Sequence, residues 1–262
     1  MRLVILRTGR RRSEKQQKRK INQDLINKSS ARAFIINKEM SGLYGMKFDK
    51  DFWNRVNQKI QTEKFAYPER VGKLLVQIRD YTMAHADKYA EASDGLLVIA
   101  IDGRAASGKS TLAEQLREVL CADVIHMDDF FLPPALRTLE RLAEPGGNVH
   151  YERFMEEVLP YLTSPKPFEY RIFDCSRMDY HGERVISNRQ IRIVEGSYSC
   201  HPQFGRYANL VVYSDVEPEE QLRRIQVRNG DAKAKMFREK WIPMEERYFE
   251  SFKIAQNADV YV

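Results

Sequence analysis

Apolar positions divide the chain into blocks of different period. From Tyr67 onward Val71, Leu74, Leu75, Ile78 and Tyr81 recur at helical spacing, with Arg70, Lys73, Gln77 and Arg79 between them. Pro68 stands where the first turn of a helix accepts proline, and the spacing predicts a helix over 68–90, closed by Asp94-Gly95. The next block, Leu96 to Asp102 (LLVIAID), is apolar almost throughout, as a strand buried on both faces should be. After a loop at 103–109, Leu112, Leu116, Val119 and Leu120 mark one face of a helix. Shorter apolar runs at Val124–Met127, Ile191–Val194, Leu210–Tyr213 and Ala258–Val262 read as strands, and a helix carrying Leu222 and Ile225 begins near Glu217. Strands alternating with helices imply an α/β fold, a mostly parallel sheet covered on both faces. No repeat is visible, and no apolar run approaches the length of a membrane span.

Charge changes the picture at one end only. The 262-residue chain carries a formal +6, but residues 1–40 hold twelve Lys/Arg against three acids, a surplus of nine, which leaves the rest at −3. The basic excess therefore belongs to a flexible N-terminal tail over 1–40, followed by a mainly helical lead-in over 41–94 and the main α/β domain over 95–262. Phe48, Phe52 and Trp53 offer packing in the lead-in. Nucleic acid is not an expected partner of the body; a polyanion contact or organelle targeting remains open for the tail. The three cysteines (Cys121, Cys175, Cys200) are scattered and form no CxxC, which fits a reducing, cytoplasmic setting.

The most specific feature is Gly103-Arg104-Ala105-Ala106-Ser107-Gly108-Lys109-Ser110, a full match to G-x-x-x-x-G-K-[ST]. It leaves a buried strand and enters an amphipathic helix, the setting that lets backbone N–H groups surround phosphate oxygens. Gly103, Ala106, Ser107, Gly108, Lys109, Ser110 and Thr111 are thus expected to bind ATP, with Lys109 on the outer phosphates and the Ser110 hydroxyl on Mg²⁺.

The rest of the chain narrows the class. The guanine-reading N/T-K-x-D of a GTPase is absent, and Asp179-Tyr180-His181-Gly182 lies in what reads as a polar loop. Ile191–Val194 is followed by Glu195-Gly196, one acid for the Mg²⁺ side and no second acid to activate water. That points to a small-molecule kinase, whose nucleophile is a hydroxyl of the acceptor. His126-Met127-Asp128-Asp129-Phe130-Phe131 ends the second strand, where open α/β sheets bind ligands, and Asp128 is placed to take the acceptor's proton. The five histidines form no HxxxH or HExxH array, so no metal beyond phosphate-bound Mg²⁺ is implied.

GRAASGKST, MDDFF, GGNVHYERF, EYRIFDCSR and IVEGSY, in that order across 96–262, resemble the uridine kinase and phosphoribulokinase family, and bacterial uridine kinase-like proteins in particular. The resemblance implies a P-loop kinase fold with a helical lid and ATP-dependent phosphorylation of a hydroxyl, typically of a uridine- or cytidine-like nucleoside. It implies that Asp128 is the catalytic base beside Lys109, that Glu195 serves Mg²⁺, and that Arg224 and Arg228 close over the phosphates. Asp129, Phe131, His150, Tyr151, Tyr170 and Arg177 fall at acceptor-binding positions. Two departures stand out. His150 replaces an expected ribose-holding Asp, and Cys175 replaces the base-reading His. Another acceptor (pantothenate, a sugar phosphate or a vitamin riboside), a nucleotide-binding regulator with a polyanion-binding tail, and a homo-oligomeric state all stay open.

Overall fold

The computed structural model describes residues 47–62, 68–86 and 96–262. The expected tail over 1–40 lies outside the described residues, as do 41–46, 63–67 and 87–95 of the lead-in.

Among the described residues two helices precede the sheet: α1 (Lys50–Thr62) and α2 (Glu69–Ala84). Phe52, Trp53 and Val56 of α1 and Val71, Leu74, Leu75 and Ile78 of α2 are all buried. The Trp53 indole N–H donates to Thr82 Oγ1 at 3.1 Å, which satisfies the polar edge of a buried ring. The mixed composition of 41–65 thus conceals a helix whose apolar stripe sits on another helix.

Strand β1 (Leu97–Gly103) is buried at all seven positions. Helix α3 (Lys109–Leu120) follows and turns Leu112, Ala113, Leu116, Val119 and Leu120 inward. Then come β2 (Asp123–His126), a 3-10 turn over Met127–Phe130, and short helices α4 (Leu139–Ala143) and α5 (Tyr151–Glu157). β3 (Phe168–Asp174) and β4 (Asp179–Ile186) form an antiparallel hairpin. β5 (Ile191–Glu195) and β6 (Leu210–Ser214) follow, then α6 (Pro218–Asn229), α7 (Asp231–Met236), a π-helical turn over Phe237–Trp241, α8 (Ile242–Phe252) and β7 (Val260–Tyr261). Among the described residues the main sheet has the order β2-β5-β1-β6-β7, with every pair parallel. The α/β expectation therefore holds, with helices before and around the sheet.

The hairpin corrects the reading of Asp179–Gly182 as loop: these residues belong to β4, where Asp179 and Tyr180 pair with Asp174 and Phe173 ahead of a register shift. Its strands are largely polar because only Tyr170, Phe173 and Ile186 turn into the core. Arg192 is unusual for a central strand, being fully buried in β5. Its guanidinium donates to the carbonyls of Tyr161, Leu162, Lys166 and Ser187, and so fastens the connection around the hairpin to the sheet. No described helix is long and apolar enough to cross a membrane.

Candidate active site

β1, flanked by β5 and β6, ends at Gly103; beside it end β2 at His126, β5 at Glu195 and β6 at Ser214. Crevices outside the carboxyl ends of such strands are where α/β folds bind ligands. Gly103 makes the turn possible. Its φ is +135°, and a Cβ there would stand 1.9 Å from the Ser214 carbonyl oxygen.

The loop that follows has its carbonyls held from outside. Gly103 O accepts from Lys109 Nζ (2.8 Å) and Ser197 Oγ (2.9 Å), and Arg104 O from Lys109 Nζ (2.7 Å). Ala105 O accepts from Gln221 Nε2 (3.2 Å), Ala106 O from Arg224 Nη1 (3.2 Å) and Ser107 O from Arg70 Nη1 (2.9 Å). Ala106 (φ 59°) and Gly108 (φ 94°) take left-handed conformations. α3 begins directly after, and no side chain caps its first turn. Ser107 Oγ is buried without a partner. A loop of this kind, with an uncapped helix N-terminus and an orphaned hydroxyl, fits a phosphate group.

Beneath the loop Asp102 is fully buried and accepts four hydrogen bonds: from Gly103 N (2.7 Å), Tyr198 N (3.0 Å), Cys200 N (2.9 Å) and Tyr248 Oη (2.8 Å). Burial pushes its carboxyl up; these donors and Lys109 oppose that. Glu245 of α8 reaches the loop from above, accepting from Ala105 N (3.0 Å) and Ser197 Oγ (2.9 Å). Burial raises its carboxyl too, against the pull of Lys109. Arg104 is tied to Asp215 (2.8 Å) and to Glu246.

Where the sequence leads one to expect Mg²⁺, Ser110 Oγ donates to Glu195 Oε2 (3.0 Å), and His126 Nδ1 bonds Glu195 Oε1 (2.6 Å). One hydroxyl and one carboxylate suit Mg²⁺, which keeps phosphate and water oxygens for its other positions. Among the described residues no group of three His, Cys, Asp or Glu is placed to hold a metal by itself. Two residues past His126, Asp128 lies exposed on the 3-10 turn. The surrounding protein raises its carboxyl above the ordinary range, the Glu195 charge adds to this, and Lys109 works against it.

The acceptor-side residues divide. Asp129 and Tyr170 are turned inward: Asp129 Oδ2 accepts from Tyr170 Oη (3.0 Å) and Arg184 Nε (3.0 Å), and Tyr170 Oη accepts from His126 N (3.2 Å). Burial, then the Asp129 charge, pushes the Tyr170 phenol well above its usual range. Through these bonds both side chains hold the hairpin against the turn bearing Asp128. Phe131 is half-buried and bridges Val149 through its backbone. His150 precedes α5 with Nδ1 buried and unpartnered; burial, then Arg153, lowers its pKa. Tyr151 stacks on His201 (4.9 Å) under the Arg141 guanidinium (3.7 Å). Arg177, near the hairpin turn, pairs with His181 Nδ1 (3.2 Å). Cys175 is exposed at the same turn; the protein around its thiol pushes the pKa up, partly offset by Arg137.

Of the two arginines expected to close over phosphates, Arg224 touches the loop, whereas Arg228 pairs with Asn229 (2.8 Å) one turn further along α6. Thr111 is exposed in the first turn of α3. Asp102, Ser197, Glu245 and Arg70 also belong to the loop's surroundings, though sequence reasoning did not single them out for this role. Asp102 carried a signal, a lone acid ending an otherwise apolar strand. The others meet the loop only through the tertiary fold.

No family model matches the chain, and no curated protein matches it in sequence. Solved structures do. One from Bacillus stearothermophilus, described as a "possible uridine kinase", is 22% identical, with a TM-score of 0.50, covering 71% of this chain and 98% of that one. Another, from a Silicibacter species, described as a "putative fructose transport system kinase", is 20% identical, with a TM-score of 0.53, covering 69% and 96%. The likeness shows the fold: this chain shares with these structures a mostly parallel sheet flanked by helices.

Proposed function

We propose that this protein is a kinase that transfers the γ-phosphoryl group of ATP to a hydroxyl of a small molecule. The observation that carries the reading is the meeting, at the ends of adjacent parallel strands, of the 103–110 loop, the Ser110–Glu195 pair and Asp128. Backbone N–H groups of the loop and the start of α3 would receive the β- and γ-phosphates. Lys109 would exchange its two carbonyl acceptors for phosphate oxygens. Ser110 and Glu195 would hold Mg²⁺, which when bound neutralises charge on the phosphates. Asp128, its carboxyl raised, would orient the acceptor hydroxyl and take its proton. Arg224, on the helix over the loop, would complete the electrostatic clamp as that segment closes and excludes water.

The nearest acceptor class by sequence resemblance is a uridine- or cytidine-like nucleoside, in a cytoplasmic setting. An imidazole, that of His150, and the thiol of Cys175 stand where that reading expects a carboxylate and an imidazole, so pantothenate, a sugar phosphate or a vitamin riboside are the competing acceptors. The test is Mg²⁺-dependent ADP release measured against a panel of these compounds, with the product identified by mass. Stimulation by uridine or cytidine supports the nucleoside reading. Stimulation by another member alone keeps the kinase and removes uridine. Tight ATP binding with no stimulation by any member counts against the kinase and favours a nucleotide-binding regulator.

A further inference from the structure

Arg70 belongs to α2, outside the stretch 96–262 that carries the family motifs, yet its guanidinium ends at the phosphate loop. Nη1 donates to Ser107 O (2.9 Å) and Nη2 to Ser214 Oγ (2.8 Å). It lies so close to the start of α3 that a Cβ added at Gly108 would stand 3.1 Å from Nη1. Arg224, reaching from α6, takes the preceding carbonyl, Ala106 O. Two guanidiniums from different helices therefore grip consecutive residues of the loop, next to the positive end of α3.

Their charges are poorly balanced. Arg224 shares Glu220 with Arg223. Arg70 meets only neutral oxygens among the described residues, and its Nε is buried without a partner. Burial, then the Arg224 charge, lowers the Arg70 pKa. A half-buried cation beside a second cation, with no carboxylate of its own, is an unfavourable arrangement that a bound polyanion would relieve. Its present acceptors can be exchanged for phosphate oxygens without leaving any charge unpaired.

We propose that Arg70 is a nucleotide-binding residue, which with Arg224 clamps the polyphosphate of the bound nucleoside triphosphate and makes helix α2 part of the nucleotide site. The inference rests on the kinase reading above. The competing role is a strut that merely braces Ser107 and Ser214.

The full-length chain is titrated with AMP, ADP and ATP in Mg²⁺, as wild type, Arg70→Ala, Arg70→Gln and Arg70→Lys, and each apo protein is melted. A clamp predicts that Arg70→Ala weakens ATP by about tenfold, the loss of one charge-assisted hydrogen bond, with a smaller loss for ADP and little for AMP. It predicts that apo Tm is unchanged or raised, that Arg70→Gln behaves like Arg70→Ala, and that Arg70→Lys recovers part of the affinity. Equal losses for all three nucleotides would overturn it, as would near-normal ATP binding by Arg70→Gln or a lower apo Tm with the ATP response retained. Should Arg70→Ala not fold, Arg70→Gln decides, since it keeps donors for a strut and lacks the charge a clamp needs. Failure of the wild type to bind any of the three would remove the kinase reading itself, and the proposal with it.

Discussion

Asp128 and Asp129 are neighbours with opposite fates. Asp129 faces inward and is consumed by Tyr170 and Arg184, while Asp128 stays open to the crevice under the influence of Glu195. Only the second arrangement suits a proton acceptor. Asp128→Asn is therefore expected to lower kcat by about 10²- to 10⁴-fold, the usual worth of a general base, with ATP affinity kept. Since the Asp128 pKa is raised in the folded protein, its ionised form accumulates at higher pH than that of an ordinary aspartate. The acid limb of kcat/KM should lie there, and a limb at or below the model-peptide value would contradict the assignment. The same shift bears on stability. A carboxyl with a raised folded pKa binds its proton more tightly when folded, so its contribution is present at low pH and is lost as pH rises through that pKa. Asp128→Asn should accordingly raise the apo Tm at neutral pH relative to wild type, and narrow the difference toward pH 4, in thermal melts.

At the scale of elements, the end of β1 sets the loop. Asp102 joins four donors from β1, the Tyr198–Cys200 segment and α8, so a buried carboxylate there ties together the parts that shape the 103–110 loop. Asp102→Ala would leave these donors unsatisfied and is expected to cost about 3 kcal/mol or more, read as a lower urea midpoint together with lost ATP binding. Gly103→Ala should be as damaging for a steric reason, since its Cβ would collide with the Ser214 carbonyl and break the β1–β6 register. How far the sequence discloses these elements depends on where each gets its order. β1, β5 and β6 are continuous apolar runs buried on both faces, and they stand out. β2 was expected to reach Met127, but the chain leaves the sheet at His126 because Met127–Phe130 winds into the turn that presents Asp128. β3 and β4 escape detection because half their positions face solvent and EYRIFDCSRMDYHGERVI alternates weakly.

At the scale of the molecule, the phosphate-binding motif and the acid after β2 could be read locally because their chemistry sits in consecutive residues. Arg70, Ser197 and Glu245 could not, because they reach the loop from distant parts of the chain and no local pattern announces a contact made by folding. The helices before the sheet are likewise part of the body: α1 and α2 bury Phe52, Trp53, Val56, Leu74 and Ile78, all at 5% exposure or less. Trp53→Ala, which removes a buried ring and its bond to Thr82, should cost about 3–5 kcal/mol in denaturant unfolding. A chain beginning at residue 96 should lose cooperative unfolding. The central claim is phosphoryl transfer from ATP to an acceptor hydroxyl with Asp128 as base. Its most direct test is ADP release in Mg²⁺, with and without the acceptor that stimulates best, compared between wild type and Asp128→Asn at matched ATP saturation. The account predicts acceptor-dependent turnover in the wild type and its near-complete loss in the variant with ATP still bound. Equal turnover in the two proteins, or bound ATP that no acceptor discharges, would contradict it.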